Sequence, residues 1–272
     1  MNSQKFQGKV AVITGSSRGI GKAIACELAR YGTCIVLNGR DQARLIETED
    51  EIRKINPHVI SVCCDVSTIS GGQLLIESTI SKFGRIDILV NNAGISIRGN
   101  FADLKPEVFK LVFDTNILGS VYPTIAAISQ LRITSGSIVF ISSVAGIRGL
   151  PSLSAYCSSK MALRALAESI RIEEFRHNLH VGLICVGPTE IDDGKTIITA
   201  DGTQLVLKQR KGKGIQSKEA VARAVVINIS KRKFITVLTS IGKLIAFLQP
   251  RFPMLVERLI LRNLKKFEDG YK

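Results

Sequence analysis

A serine, Ser143, stands thirteen residues before a tyrosine, Tyr156, and a lysine, Lys160, follows that tyrosine by four. The segment holding the pair reads as helix, where an i,i+4 spacing puts both side chains on one face. A phenol titrates at about 10, and a close ammonium favours its ionised form. Such a pair makes a proton donor usable near neutral pH. A serine hydroxyl close by can hold a substrate oxygen against the phenol.

Those side chains need a scaffold, and alternating strands and helices supply one. Apolar runs at 9–14, 34–38, 59–64, 86–90, 137–142, 181–185 and 234–239 read as strands. They are continuous rather than alternating, as in a parallel sheet covered on both faces. Helical stretches at 19–31, 42–55, 74–83, 109–132 and 155–175 fall between them, the first marked by Ile20, Ile24 and Leu28. This alternation predicts a doubly wound α/β fold. Residues 1–240 read as one domain, with a loop at about 193–214, and residues 241–272 as a helical tail.

The first run ends in Thr14-Gly15-Ser16-Ser17-Arg18-Gly19-Ile20-Gly21. Glycines here let the backbone turn sharply and approach a pyrophosphate, and the helix that follows offers free N–H groups and a positive field. Between a strand and a helix, the triplet Gly15, Gly19 and Gly21 points to a dinucleotide, with Ser17, Arg18 and Ile20 in the same contact segment. The second run ends in Asn38-Gly39-Arg40, without the carboxylate that NAD sites tend to place there. Arg40 and Arg18 can form a fork on a 2′-phosphate, so the expected cofactor is NADP(H). Asp65 and Val66 end the third strand, where a carboxylate can meet the adenine amine; a turn or N-cap role for Asp65 is equally open. Asn92, Ala93 and Gly94 end the fourth, where small residues let a cofactor lie against the backbone.

The net charge of +14 is uneven, because residues 203–272 carry 16 Lys/Arg against 4 Asp/Glu. That argues against a nucleic-acid surface and for a basic C-terminal appendage. Residues 1–8 lack the apolar stretch of a secretory signal, and no charge-free apolar run of about 18 residues occurs. Cys26, Cys34, Cys63, Cys64, Cys157 and Cys185 form no CxxC pair and read as reduced thiols of a cytoplasmic protein. His58, His177 and His180 hold no ligand spacing, so no metal is expected.

Together these motifs resemble the short-chain dehydrogenase/reductase family over about residues 7–192: Thr14-Gly15-x-x-x-Gly19-Ile20-Gly21, Asp65, Asn91-Asn92-Ala93-Gly94, Asn116, Ser143 and Tyr156-x-x-x-Lys160. The resemblance implies one Rossmann-type domain with seven parallel strands, assembled as a dimer or tetramer. It makes Tyr156 the general acid/base. Lys160 would lower the Tyr156 pKa and hold the nicotinamide ribose, and Ser143 would bond the substrate oxygen. Asn116 would break its helix and hold a water of the proton relay. Gly187 and Thr189 would join the cofactor contacts. One departure is plain: Val186-Gly187-Pro188-Thr189-Glu190-Ile191 stands where the family usually has Pro-Gly-x-Val/Ile-x-Thr.

The family places its substrate lid at 193–214. Here Gly194, Gly202, Gly212 and Gly214 suggest mobility, and Ile197, Ile198, Leu205, Val206 and Leu207 suggest an apolar underside. The tail reads as two helices, 241–248 and 252–266. In the second, Arg258, Arg262, Lys265 and Lys266 lie among or opposite apolar residues. Such a helix can lie on a membrane, or pack on the protein or a partner subunit. These features imply an NADPH-dependent reductase of a lipophilic ketone. The rivals are a soluble 3-oxoacyl thioester reductase and a dinucleotide-binding regulator without turnover.

Overall fold

The computed structural model describes residues 3–210 and 214–264. In chain order the elements are β1 (Val10–Ile13), α1 (Gly19–Ala29), β2 (Cys34–Gly39), α2 (Gln42–Arg53), β3 (Val59–Cys63), α3 (Ile69–Phe83), β4 (Ile88–Asn91) and β5 (Ile97–Arg98). Next come α4 (Pro106–Phe113), a π-helical turn (Asp114–Leu118), α5 (Gly119–Ile133), β6 (Ser137–Ser143), α6 (Ser154–Glu173) and β7 (His180–Val186). The chain continues through β8 (Thr196–Thr199), β9 (Gln204–Val206), α7 (Lys218–Ser230), β10 (Ile235–Val237), α8 (Ser240–Leu248) and α9 (Pro253–Arg262).

Seven strands form one sheet in the order β10-β7-β6-β4-β1-β2-β3, every pair parallel. Side chains alternate along each strand, so each strand feeds two cores. On β1, Ala11 and Ile13 join Ile24 and Leu28 of α1 and Val221 and Val225 of α7. Val10 and Val12 join Leu75 of α3, Leu131 of α5 and Leu163 of α6 on the other face. Two covered faces explain why the strands read as unbroken apolar runs. The order reverses at β1, which lies between β2 and β4, and that reversal opens a crevice at the strand C-termini.

Three details depart from the expected outline. The helix expected at 109–132 is a 28-residue run, Pro106–Ile133, interrupted by the π turn. It is apolar enough to cross a membrane by length and mean hydropathy (1.3), yet it buries Val112, Asn116, Ala127 and Leu131 within this domain. The segment at 193–214 is not a bare loop: β8 and β9 pair antiparallel, and β8 adds to β5. Gly202, at φ +93°, turns this hairpin, and the Asp201 carboxylate accepts hydrogen bonds from the Thr199 hydroxyl, the Thr203 hydroxyl and the Thr203 N–H. Its apolar underside is partial: Ile197 is buried, whereas Leu205 and Val206 face outward.

The tail folds back as a helical hairpin. The Thr239 hydroxyl caps α8 by accepting from the Gly242 N–H at 3.1 Å, and Pro253 opens α9. Val256 is buried, and Glu257 pairs with Arg148 at 2.9 Å, tying α9 to the loop after β6. Lys265 and Lys266 lie outside the described residues.

Candidate active site

The glycine turn sits where β1 meets α1, and contact distances explain its composition. Gly15 and Gly19 have φ of +60° and +62°, a region that only glycine enters freely. A Cβ on Gly15 would lie 2.8 Å from the Ala93 Cα, and one on Gly21 would lie 2.4 Å from the Gly15 carbonyl. The Thr14 hydroxyl accepts from the N–H groups of Asn92 (3.0 Å) and Ala93 (2.9 Å), and the Asn92 amide donates to the Thr14 and Gly15 carbonyls, both at 2.9 Å. The ends of β1 and β4 are thereby locked together. Helix α1, like α4, α6 and α9, opens without a side-chain cap, and it does so at the glycine turn. Its first N–H groups are left for an anion, which fits a pyrophosphate.

Farther along the crevice, the ends of β2 and β3 meet. Asn38 is buried: its amide nitrogen donates to the Val62 and Cys64 carbonyls, both at 3.2 Å, and its main chain bonds Ser16. Ser17 lies beside Gly39, where a Cβ would reach its Oγ at 3.2 Å. Arg40 approaches Asp65 at 3.5 Å. Asp65 also accepts from the Ser67 N–H (2.9 Å) and hydroxyl (2.7 Å). Burial opposes its ionisation, but the Ser67 bonds and Arg40 hold the carboxyl below its usual range. Asp65 thus makes the bonds of a turn, and the N-cap of α3 is Thr68. Arg18 is exposed at the start of α1, and its charge falls on Lys195 of the 193–214 segment. Arg18 and Arg40 stand on neighbouring turns, Arg18 before α1 and Arg40 after β2. Val66 is buried against the α3–α5 side of the sheet.

At the other end stand the candidate proton-transfer residues. Asn116 lies in the π turn, fully buried. Its Oδ1 accepts from the Ile95 N–H (2.8 Å), and its Nδ2 donates to the Ile95 carbonyl (3.1 Å) and the Ser159 hydroxyl (2.9 Å). Ser143 ends β6; its hydroxyl accepts from the Ala145 N–H at 3.1 Å and lies near enough to the Tyr156 phenol to favour its ionisation. Lys160 is buried and donates to the Ile141 carbonyl at 2.9 Å, with its Nζ 5.8 Å from the Tyr156 ring centre. A Cβ on Gly94 would lie 3.0 Å from the Asn116 Oδ1 and 3.4 Å from the Lys160 Nζ, so glycine keeps that approach clear.

Burial pushes the Tyr156 phenol up, and the nearby Ser143 hydroxyl and the Arg210 charge only partly offset it. Lys160, itself lowered to about 8 by burial, is turned to a carbonyl and does not reverse the balance. The phenol is held as a proton donor rather than as a phenolate.

Gly187 and Thr189 follow β7. A Cβ on Gly187 would strike the Thr239 side chain at 2.3 Å. Buried Thr189 donates to the Gly187 carbonyl at 3.1 Å, and its main chain bridges Gln216. Ile191, in place of the family's threonine, is buried. Beside Val144, the residue after Ser143, an apolar cavity of about 410 Å³ opens between the loop after β6 and the tail, lined by Leu150, Ile241, Leu248, Val256 and Ile260 among others.

Two participants escaped the sequence reading. Ser159 bonds Asn116 and donates to the Tyr156 carbonyl at 2.8 Å, coupling the π turn to α6. Arg210 donates to the Thr189 carbonyl at 3.0 Å and brings a positive charge to Tyr156 from 54 positions along the chain. The position of Ser159 next to Lys160 gave a hint; no spacing rule could have found Arg210.

A doubly wound parallel sheet, a glycine turn at its switch point and a Ser-Tyr-Lys set beside it define a dinucleotide-dependent oxidoreductase. Comparison with known proteins agrees. The family model described as short chain dehydrogenase matches residues 9–201. A curated relative, 11-beta-hydroxysteroid dehydrogenase-like 4A of Arabidopsis thaliana, is 40% identical over 241 residues, covering 85% of this chain and 76% of that protein. An alcohol dehydrogenase from Thermococcus sibiricus, solved with 5-hydroxy-NADP, superposes with a TM-score of 0.75 at 27% identity, covering 86% of this chain and 97% of that one. A short chain dehydrogenase/reductase from Burkholderia phymatum, solved with NAD, superposes with a TM-score of 0.75 at 26% identity, covering 85% and 89%. The chain belongs to the short-chain dehydrogenase/reductase family.

Proposed function

We propose that this oxidoreductase uses NADP(H) to interconvert a carbonyl and a secondary alcohol on a lipophilic substrate. The observation that carries the reading is the buried Tyr156 phenol, with the Ser143 hydroxyl near enough to act on its ionisation and Lys160 one turn along α6. The glycine turn, the uncapped start of α1 and the clear approach over Gly94 would hold the dinucleotide. When bound, the reduced nicotinamide supplies the hydride. The chain's own part is orientation and proton transfer. Ser143 positions the substrate oxygen, and Tyr156 gives it a proton from the phenol oxygen. Lys160 balances charge at that site, and Asn116, fixed by Ile95 and Ser159, would hold a water of the proton relay.

The preference for NADP(H) rests on Arg40 and on the absence of a carboxylate at the end of β2. The lipophilic substrate rests on the apolar cavity beside Val144 and on the steroid named for the curated relative. A homodimer or homotetramer in the cytoplasm completes the proposal. The test is NADPH oxidation across ketosteroids, long-chain 3-ketosphingoid bases, retinal and 3-oxoacyl thioesters. Turnover confined to the thioesters would favour a soluble thioester reductase. Tight NADPH binding with no turnover on any carbonyl would leave a non-catalytic regulator.

A further inference from the structure

The α8–α9 hairpin has two sides. Val256, Ile260 and Asn263, spaced i, i+4 and i+7, border the cavity over the loop after β6. The opposite stripe of α9 is Met254, Leu255, Arg258 and Arg262, all exposed; Met254 is 62% accessible and Leu255 47%. Helix α8 adds exposed Phe247, which lies outside the cavity lining, whereas Ile241, Leu244 and Leu259 border the cavity. At the tip Arg251 lies over the Phe247 ring at 4.3 Å, and Phe252 is 54% accessible. Scattered apolar side chains need no explanation, but a contiguous face on two adjacent helices does.

The charges decide what covers this face. Among the described tail residues, the cations are Lys243, Arg251, Arg258 and Arg262. The sole acid, Glu257, is already paired with Arg148. A second copy of the same stripe would set arginine against arginine. An anionic bilayer offers acyl chains to the apolar residues and headgroups to the cations. We infer that the α8–α9 hairpin is a docking surface for anionic phospholipid bilayers. Phe247, Phe252, Met254 and Leu255 enter the interface, Arg258 and Arg262 meet the headgroups, and the Arg148–Glu257 pair holds the hairpin on the domain. This inference does not depend on the hydride-transfer reading.

The test is co-sedimentation of the full chain with phosphatidylcholine vesicles, with or without roughly 30% phosphatidylserine. The anionic vesicles bind at least about tenfold more tightly, and about 0.5 M NaCl removes most of that advantage. The Phe247→Ser/Phe252→Ser/Leu255→Ser and Arg258→Glu/Arg262→Glu variants each weaken binding about tenfold or more. Thermal melts confirm that both variants remain folded, and both keep wild-type turnover on a small water-soluble ketone. Equal sedimentation with both vesicle types, or unchanged binding by both folded variants, overturns the inference. So does a wild-type oligomer that ignores vesicles and that these substitutions split. Failure of every ketone to react would sink the proposed activity and leave the sedimentation result standing.

Discussion

Tyr156 is pulled in two directions. Burial keeps its phenol protonated, while Ser143 and the Arg210 charge ease ionisation. That balance suits proton donation to a developing alkoxide. Tyr156→Phe removes the proton and should cut kcat by about a thousandfold while leaving the Kd for NADPH unchanged, as read by single-turnover kinetics and titration. Lys160 makes a pH prediction. Its folded pKa is lowered to about 8 by burial, so its charge is present below that pH and lost above it. The free-enzyme profile of kcat/KM for reduction should therefore fall above about pH 8, and Lys160→Arg should move that limb upward. Arg40→Ala should narrow the preference for NADPH over NADH by about tenfold, since a charge-assisted bond to a 2′-phosphate is lost. Equal affinity of the wild type for both cofactors would remove the basis of that assignment.

Elements hold these residues through a few tight junctions. Buried Glu174, at the end of α6, accepts two bonds at 2.7 Å from Arg132 of α5, fixing the helix that carries Tyr156 and Lys160. On β7, buried His180 lies between the Ser137 hydroxyl (3.2 Å) and the Lys233 carbonyl (2.9 Å). Burial lowers its pKa from 6.5 to about 4. The folded state therefore holds fewer protons than the unfolded chain between those values. Its contribution is complete above about pH 6.5 and falls as pH drops towards 4, by roughly 3 kcal/mol in all. His180→Gln should flatten that part of the stability–pH curve in urea melts. Thr239 caps α8 and packs on Gly187, so Thr239→Ala should cost about 1 kcal/mol in the same measurement and loosen the loop after β7.

For the whole molecule, the tail and the sheet are joined by modest forces. The Arg148–Glu257 pair is partly exposed and is worth at most about 1 kcal/mol. Glu257→Gln should leave the global Tm nearly unchanged while speeding amide exchange across α9 relative to β6.

The alternation of runs, the glycine turn and the Ser143–Tyr156–Lys160 spacing were legible because each is local: a strand's period, a turn's φ requirement and a helix's i,i+4 face depend on near neighbours. The order of the seven strands was legible as a class, since right-handed crossovers leave few alternatives. What the residue order could not carry was anything decided by packing between distant segments. The β5–β8–β9 sheet, the Ser159 bond to Asn116 and the reach of Arg210 to Thr189 all join residues far apart in the chain. The direction of the Tyr156 shift belongs there too. From spacing, Lys160 alone bears on the phenol; in the folded protein burial dominates and Lys160 turns to the Ile141 carbonyl. The sequence by itself determined the glycine turn and the shared face of Tyr156 and Lys160, because short-range geometry places them. Only the tertiary structure decided their protonation and partners, because desolvation and charge depend on everything packed around them.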